Sequence, residues 1–533
     1  MKLKSVISAV VLASLTLLSA CGGANPGQAE TTIAPTQNGQ PQNEPNEQNE
    51  ENEETQSKIG ESAYSLFTEI SAVPRTSGNE QAISDYLKSF GERRGFETIQ
   101  DEWLNLLIKK PGSPGREDEP PIILQAHMDM VGDKNNDVEH DFLTDSIVPV
   151  IEGDWVTAEK KTTLGADNGV GLSIILAILD ADELSHPPIE ALITVEEETT
   201  AIGAVEFDTT LLSGNRMINI DSTDEGRFAV SSASGTDFVM THPVEMQALP
   251  EGFTTFELAI KGLNGGHSGD DINKGFANAN VLMGRLLFEI SEISETGIFI
   301  TSINGGSAPN AIPRECFVVV SLNDLNAADE IIEQAIELFK EEYPVEQDLK
   351  ITLTETETAE SVMTNNSMQR VITGITQMPN GVYSMSADIE GLVQTSNNLG
   401  IIETEDGKVI LTAFARSSLP EEEEELLDLL RSLAGQVNAE FEIEKSVPAW
   451  PFKVDSPLRD KMVEVYTAMY GDAPVIEAIH AGLETAEFAL KMPDCDIISI
   501  GSDIQNYHSP DEKFSLPSYY RTCEFLIKVL EAL

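Results

Sequence analysis

Three short runs of apolar residues, each followed at once by acidic or imidazole side chains, constrain the fold of this chain most strongly. The runs are 122–126 (IILQA), 191–195 (ALITV) and 217–220 (MINI). Such mostly apolar segments are typical of strands that are buried on both faces, and the segment 169–179 between the first two favours a helix. Strands that alternate with helices predict a mostly parallel α/β sheet.

The pattern changes twice along the chain. Apolar residues recur at helical spacing in 63–70 and 83–90, ahead of the three strands. After Gly226 the pattern predicts an inserted α+β unit, with strands at 253–261, 298–303 and 316–322 and helices at 327–342 and 421–434. From about Trp450 it predicts a return to the first domain, with helices at 458–470, 483–491 and 517–533 and a strand at 497–500. The predicted boundaries are 58–230 and 448–533 for the first domain and 231–447 for the insertion.

The N-terminus predicts export and a lipid anchor. Residues 1–21 begin with two lysines, and their apolar stretch is too short to span a bilayer. They end in LSAC, which resembles a bacterial lipobox in which Cys21 receives the lipid; the alternative is an ordinary secretory signal with an incidental cysteine. Residues 22–57 are polar and acidic and predict a disordered tether. We therefore expect an extracytoplasmic protein that is lipid-anchored to the cell membrane.

The charge excludes one class of partner. The chain carries 33 Lys and Arg against 90 Asp and Glu, a formal net charge of -57. Such a surface repels nucleic acid and anionic lipid headgroups, so we expect no nucleic-acid partner and membrane contact through the lipid only. Three cysteines remain besides Cys21, namely Cys316, Cys495 and Cys523. This odd number, without metal-site spacing, predicts no disulfide framework.

Side chains suited to binding cations follow the predicted strands. His127 and Asp129 come after the first strand with one residue between them, so both point to one side and Asp129 can orient the imidazole. Taken alone, this tripeptide is more typical of a buried histidine satisfied by a local carboxylate. Asp167 lies in the glycine-rich turn 165–171, which lacks the lysine of a phosphate-binding loop and the spacing of a dinucleotide fingerprint. An aspartate on such a turn fits a cation better.

Further donors follow the other strands. Glu196, Glu197 and Glu198 come directly after the second strand, Asp221 ends the third, and His508 follows 497–500. Open α/β sheets place their ligands at this edge. Two histidines, two aspartates and a glutamate form a nitrogen and oxygen set suited to zinc or a similar divalent ion, and two ions need about this many donors. Neither the H-E-x-x-H nor the G-x-S-x-G hydrolase motif occurs.

Together these segments resemble the M20 metallopeptidases, and within them the Xaa-His (aminoacyl-histidine) dipeptidase branch, from about Gly60 to the C-terminus. The segments that carry the resemblance are 125–131 (QAHMDMV), 164–171 (LGADNGVG), 194–204 (TVEEETTAIGA), 219–226 (NIDSTDEG), 265–272 (GGHSGDDI), 480–484 (HAGLE) and 507–512 (YHSPDE). The resemblance implies that the first domain is a di-metal catalytic domain and the insertion a lid domain. It also implies metal-dependent hydrolysis of the peptide bond in dipeptides or short peptides.

The resemblance implies a role for each donor. His127, Asp167 and Asp221 would hold one divalent ion, and Asp167, Glu198 and His508 the other, with zinc expected and manganese or cobalt as alternatives. Asp129 would support His127. Glu197 would be the general base, taking a proton from water and passing it to the leaving amine.

Two substrate contacts are also implied. His267 would be a lid histidine that reaches the oxygen of the tetrahedral intermediate when the domains close, although a polar turn residue among glycines is the alternative. Arg416 is the candidate for gripping the terminal carboxylate of the substrate, since a guanidinium suits that group. Arg314 and Arg285 compete for this role.

Several alternatives stay open. Thr200 stands where the family usually has a glycine, and a slip of one residue in the triple Glu run would make Glu196 the base instead of Glu197. The alternative functions are an amidohydrolase of the same fold acting on acylated amino acids and a non-catalytic peptide-binding lipoprotein. A homodimer is an open alternative for the assembly.

Overall fold

The computed structural model describes residues 47–292, 297–387, 389, 391–479 and 482–533, with side chains from Lys58 onward. The predicted lipid attachment at Cys21 and the predicted tether up to residue 46 lie outside the described residues. Among the described residues, no helix is both long and apolar enough to cross a membrane.

The first stretch of chain contains every element predicted before residue 226. In order, its elements are α1 (Glu47–Ser71), α2 (Gln81–Arg93), β1 (Glu97–Gln100), β2 (Leu106–Lys110), β3 (Ile122–His127), β4 (Pro149–Glu152), β5 (Trp155–Ala158), α3 (Ala166–Asp180), β6 (Ile189–Thr194), α4 (Ile202–Glu206), a 3-10 turn (Thr209–Leu211), β7 (Arg216–Ser222) and β8 (Arg227–Ser232). Every residue of β3 and β6 is buried, which is why most of their residues are apolar at successive positions. Helix α1 begins within the segment that the sequence assigns to the tether, so the backbone of 47–57 is helical.

The second stretch forms a separate antiparallel sheet with its own helices. Its elements are β9 (Gly235–Pro243), β10 (Met246–Ala248), β11 (Thr254–Lys261), β12 (Gly266–His267), α5 (Ala279–Glu292), β13 (Ile298–Gly305), β14 (Ala311–Ile312), β15 (Cys316–Leu322), α6 (Leu325–Glu342), β16 (Lys350–Glu355), β17 (Ser361–Met363), α7 (Asn365–Gln377), β18 (Gly381–Met385), β19 (Val393–Glu405), β20 (Lys408–Ser417), α8 (Pro420–Gln436) and β21 (Glu440–Val447). The sheet has the order β16-β11-β15-β13-β19-β20-β9-β21, with β18 also paired to β19. Helices α5 to α8 share one hydrophobic cluster with it.

The last stretch returns to the first sheet. Its elements are α9 (Pro457–Tyr470), β22 (Val475–Ile479), α10 (Thr485–Lys491), β23 (Asp496–Gly501), β24 (Ile504–Gln505), β25 (Lys513–Ser515) and α11 (Leu516–Ala532). The completed sheet has the order β1-β2-β6-β3-β7-β23-β8-β22. Its four central strands β6, β3, β7 and β23 run parallel, which confirms the predicted α/β fold with a mostly parallel sheet.

Alternate residues of the central strands face two apolar layers. Leu124 and Ile218 face the cluster formed with α1, α2, α3 and α11. Ile123 and Met217 face the smaller cluster that includes Trp450 and Phe488. The central strands are therefore held in place from both sides, and their carboxyl ends meet along one edge of the sheet.

Candidate functional site

The polar residues predicted from the sequence gather at that edge. His127 is the last residue of β3, Asp221 lies near the end of β7, and Glu198 follows β6. Asp167 lies in the first turn of α3, where the backbone leaves helical geometry. His508 lies in the loop between β24 and β25, with a left-handed backbone (φ 61°). Because the central strands are parallel, side chains that are far apart in sequence become neighbours here.

The two histidines approach the same carboxylate from opposite sides. His127 Nε2 lies 3.1 Å from Asp167 Oδ1 and 3.4 Å from Asp221 Oδ1. His508 Nε2 lies 2.8 Å from Glu198 Oε2 and 3.4 Å from Asp167 Oδ2. Asp167 therefore presents one oxygen to each histidine and occupies the centre of the group. The structure brings all five predicted ligand side chains together.

These residues fit divalent metal ions by the chemistry of their donor atoms. One ligand atom each from His127, Asp167 and Glu198 lies within 4.8 Å of the other two. Within the described part of the chain, the three carboxylates Asp167, Asp221 and Glu198 form ion pairs with these histidines and none with lysine or arginine. Buried carboxylates without a cation are costly, and imidazole nitrogen with carboxylate oxygen is a donor set that zinc and similar ions prefer.

The proton affinities of these groups point the same way. Burial lowers the pKa of His127, but Asp221 and the side chains of Asp129 and Asp167 outweigh it and hold that pKa well above its ordinary value. Hydrogen bonding to Asp167 and Glu198 raises the pKa of His508 to about 10. Burial raises the pKa of Asp221 to about 8. His127, His508 and Asp221 therefore hold protons that a divalent ion would displace on binding.

Asp129 connects two of the segments that carry ligands. Its Oδ1 lies 3.2 Å from Nδ1 of His127, which leaves Nε2 facing Asp167. The same carboxylate accepts the backbone N–H groups of Glu197 at 3.1 Å and Glu198 at 3.3 Å, and the Ser77 hydroxyl at 2.7 Å. Asp129 thus orients the imidazole and ties the turn after β6 to the end of β3.

Glu197 and Glu196 face different surroundings. Glu197 lines a cavity of about 630 Å³ beside Asp167, Glu198 and Asp221. Burial raises its pKa well above the ordinary value, and Asp221 adds to the rise, whereas His127 opposes it. Glu196 has a left-handed backbone (φ 51°), and its side chain accepts the Thr200 hydroxyl at 3.0 Å on the exposed side of the turn. Of the two carboxylates that the sequence left open, Glu197 is the one in the cavity.

The inserted part of the chain supplies one wall of this cavity. Gly269, Asp270 and Asn273 line it, as do residues 391–393, together with the predicted ligands Asp167, Glu198, Asp221 and His508. His267 lies next to this wall but is not itself among the lining residues. Its Nδ1 accepts the N–H groups of Gly269 and Asp270, both at 3.3 Å. Nδ1 also lies 3.5 Å from Oδ2 of Asp270, so these contacts hold the ring through Nδ1.

None of the three candidate arginines is among the described residues that line the cavity. Arg416 lies on β20, buried, with its guanidinium 4.3 Å from the centre of the Phe414 ring. Arg285 forms an ion pair with Glu342 at 2.7 Å, and Arg314 Nε donates to the Leu263 carbonyl at 3.3 Å. A carboxylate-binding role for Arg416 stays a prediction.

Three charged residues that the sequence reasoning did not assign lie immediately around the site. Glu484 is buried and accepts hydrogen bonds from Gln125 Nε2 at 2.6 Å and Thr194 Oγ1 at 2.9 Å. Glu512 and Arg75 are buried and bond to the backbone of the segments that carry the ligands. Glu484 and Glu512 could have been identified from the sequence, because they lie in the segments 480–484 and 507–512 that carry the family resemblance. His480 and Ala481 of the first segment lie outside the described residues.

Comparisons with known proteins agree with this geometry. The sequence model of peptidase family M20/M25/M40 matches residues 123–532. The cytosol non-specific dipeptidase of Escherichia coli (strain K12) is 35% identical over 475 residues, covering 88% of this chain and 97% of that protein. The crystal structure of aminoacylhistidine dipeptidase from Vibrio alginolyticus shares 38% identity at a TM-score of 0.85, covering 88% of this chain and 96% of that one.

A more distant structure shares the fold alone. The aminopeptidase PepT of Bacillus cereus is 15% identical with a TM-score of 0.51, over 89% of this chain and 98% of that chain. The family match, the two similar dipeptidases and the gathered ligand side chains lead to one conclusion. The chain belongs to peptidase family M20/M25/M40.

Proposed function

We propose that this protein hydrolyses the peptide bond of dipeptides or short peptides, of the Xaa-His type, using two divalent metal ions and Glu197 as general base. The observation that carries the proposal is the convergence of His127, Asp167, Asp221, Glu198 and His508 beside Glu197 in one cavity. The names of the two similar proteins, a non-specific dipeptidase and an aminoacylhistidine dipeptidase, support the substrate class.

The residues present would hold two ions with one shared carboxylate. His127 and Asp221 would complete one ion's ligands and Glu198 and His508 the other's, with Asp167 bridging. Zinc is the proposed metal, with manganese or cobalt as alternatives. When bound, such ions lower the pKa of a water molecule and polarise the scissile carbonyl.

Glu197 has the position and environment of a proton carrier. Its carboxylate would take one proton from the attacking water and later deliver that proton to the nitrogen of the leaving amine, so it ends the reaction as it began. Burial raises its pKa, which favours holding the proton between the two steps. The hydrogen bond from the Glu197 backbone N–H to the Asp129 side chain holds Glu197 close to His127.

His267 would donate to the substrate oxygen that becomes negatively charged. Its Nδ1 contacts the N–H groups of Gly269 and Asp270, so Nε2 is the nitrogen that would face this oxygen. This donation requires the inserted domain to move toward the catalytic domain, which we propose as a lid closure.

The test is hydrolysis of a dipeptide panel that includes Xaa-His members. Activity should vanish with a chelator and return with zinc, manganese or cobalt. Glu197→Gln should lower kcat roughly 10²- to 10⁴-fold, while the neighbouring control Glu196→Gln should keep activity within about twofold, since its side chain lies outside the cavity. Full activity in Glu197→Gln would refute the mechanism. Turnover of N-acyl amino acids alone would favour the amidohydrolase, and tight peptide binding without turnover the binding lipoprotein.

We further propose that the protein is extracytoplasmic and lipid-anchored through Cys21. The support is the LSAC sequence after a short apolar segment with a basic start. Mass spectrometry of the mature N-terminus should show an acylated cysteine, and Cys21→Ala should release the protein from the membrane fraction. An unmodified N-terminus that retains residues 1–20 would refute the anchor.

A further inference from the structure

The loop that carries Asp167 is held by a single buried carboxylate. Glu512 accepts four consecutive backbone N–H groups through its two oxygens. Oε2 accepts from Leu164 at 2.6 Å and Gly165 at 2.9 Å, and Oε1 accepts from Ala166 at 2.8 Å and Asp167 at 3.2 Å. The side chain is buried, so water cannot replace these bonds. The orientation of the Asp167 segment therefore depends on Glu512.

Glu512 also belongs to the segment that carries His508. Only three residues separate the two, and the Glu512 N–H donates to the Ser509 carbonyl at 3.0 Å in a tight turn. A displacement of Glu512 would move both the Asp167 loop and the His508 loop. These loops hold the two residues that face each other at 3.4 Å in the site.

A buried guanidinium holds the same loop from its carbonyl side. Arg75 Nη2 donates to the Gly165 carbonyl at 2.6 Å, and Nη1 donates to the carbonyls of Met128 and Asp129, both at 2.9 Å. Gly165 has a left-handed backbone (φ 71°), and a Cβ there would lie 2.6 Å from Arg75 Nη2. The close approach of Arg75 thus requires glycine at this position. One side chain joins the segment after β3 to the Asp167 loop.

We propose that Arg75 and Glu512 are positioning residues that together set the spacing of His127, Asp167 and His508 and so determine the metal affinity of the site. The proposal rests on the proposed metal-binding function. The two side chains carry opposite charge and bond to opposite sides of one loop, one to its carbonyls and one to its N–H groups. Each offsets part of the cost of burying the other. Neither touches the substrate cavity.

Glu190 offers a matched control at the other end of the same sheet. It is likewise buried on β6, and it accepts the N–H groups of Ser213 at 3.0 Å and Gly214 at 2.9 Å and the Ser213 hydroxyl at 2.7 Å. Like Glu512 it binds backbone N–H groups, and it also pairs with Lys109 at 3.2 Å, but the segment it holds carries none of the proposed ligands. Glu190→Gln should change folding stability without changing metal affinity.

The experiment compares the full chain with Glu512→Gln, Arg75→Lys and Glu190→Gln. The readouts are the zinc dissociation constant, from competition with a chromophoric chelator, the visible absorption spectrum of the cobalt-substituted protein, and the melting temperature without metal. Glu512→Gln should weaken zinc binding roughly 10- to 100-fold, as loss of residues that orient ligands does, and should alter the cobalt spectrum. Arg75→Lys keeps the charge but not the fork of donors, so its affinity should fall between Glu512→Gln and wild type.

Each outcome decides between the proposals. Wild-type affinity and an unchanged cobalt spectrum in both Glu512→Gln and Arg75→Lys would overturn the positioning role, as would an equal affinity loss in Glu190→Gln. If Glu512→Gln does not fold, Arg75→Lys alone decides by the same two readouts. A wild-type chain that binds no metal would instead refute the proposed function itself.

Discussion

The carboxyl edge of the first sheet and the start of α5, beside the second sheet, bury different kinds of polar group. At the carboxyl edge of the first sheet, Asp129, Glu484 and Glu512 are buried carboxylates that lie close to Asp221 and Asp167. Like charges repel in such surroundings, and burial raises the pKa of Asp221 to about 8 and that of Glu512 to about 7. His127, His508 and Arg75 offset part of this repulsion, and the proposed divalent ions would offset more of it.

At the start of α5, beside the second sheet, the buried polar groups are amides bonded to one another and to the backbone. Asn278 donates to the side chain of Asn398 and the carbonyl of Leu399, both at 3.1 Å, and accepts the N–H groups of Asn280 and Val281 at the start of α5. The contrast teaches that amides bonded to the backbone serve the fold, whereas concentrated buried carboxylates indicate where a ligand is expected.

The largest effect on the carboxyl edge of the first sheet is expected from Asp167→Asn. The change keeps the shape of the side chain but removes the charge that faces both histidines. We expect zinc affinity and dipeptide hydrolysis to fall by more than roughly 100-fold, beyond the effect of losing a residue that merely orients a ligand. Chelator competition and steady-state kinetics measure both. A variant that keeps a tenth of the wild-type affinity would break the assignment of Asp167 as the shared ligand.

A histidine in the second sheet should respond to acid in the opposite sense to a metal-site histidine. His242 is buried, its ring nitrogens make no hydrogen bond among the described residues, and burial lowers its pKa to about 4. The unfolded chain binds the proton first, near pH 6.5, so stability present above that pH is lost as pH falls toward 4. The loss is roughly 3 kcal/mol.

The measurement is urea unfolding at pH 7.5 and pH 4.5. The free energy of unfolding of His242→Leu should fall less over this range than that of wild type, because leucine cannot take up the proton. An equal fall in the free energy of unfolding for the two proteins would mean that His242 does not titrate as a buried neutral group.

A smaller effect is expected from Asn278→Ala. It leaves the N–H groups of Asn280 and Val281 without their side-chain acceptor and should lower the free energy of unfolding by about 1–3 kcal/mol. Zinc affinity should stay at the wild-type value, measured on the same preparation. A loss of metal affinity in this variant would show that Asn278 contributes to the site as well as to the fold.

The last prediction concerns Asp221→Asn, whose stability relative to wild type should reverse when zinc is added. Its raised pKa means that the stability it contributes to the metal-free fold is present below its ordinary pKa, near 4, and is lost as pH rises through about 8. In chelator at pH 9, Asp221→Asn should therefore be more stable than wild type, because the amide cannot carry the buried negative charge. With zinc present the order should reverse. A lower melting temperature for the variant in chelator at pH 9 would contradict this reasoning.

Sequence patterns predicted the elements that position the site because those elements are locally encoded. The segments of β3, β6, β7 and β23 have apolar residues at successive positions on both faces, since a parallel strand between two layers is buried on both faces. Strand β19 was not predicted, because its segment QTSNN has no apolar alternation. That segment is a strand because β18 and β20 pair with it on both sides.

Local sequence patterns identify which donor side chains follow which strand. A short spacing, such as that between His127 and Asp129, also places two of them on the same side of the extended chain. The fold, and not a local pattern, brings Glu512 to the Asp167 loop and leaves Arg416 near Asp270 but not among the described residues that line the cavity. The physical reason is separation along the chain. The Glu512 carboxylate bonds to N–H groups 345 to 348 positions earlier, and no local periodicity encodes a contact that exists only after the last strand has joined the sheet.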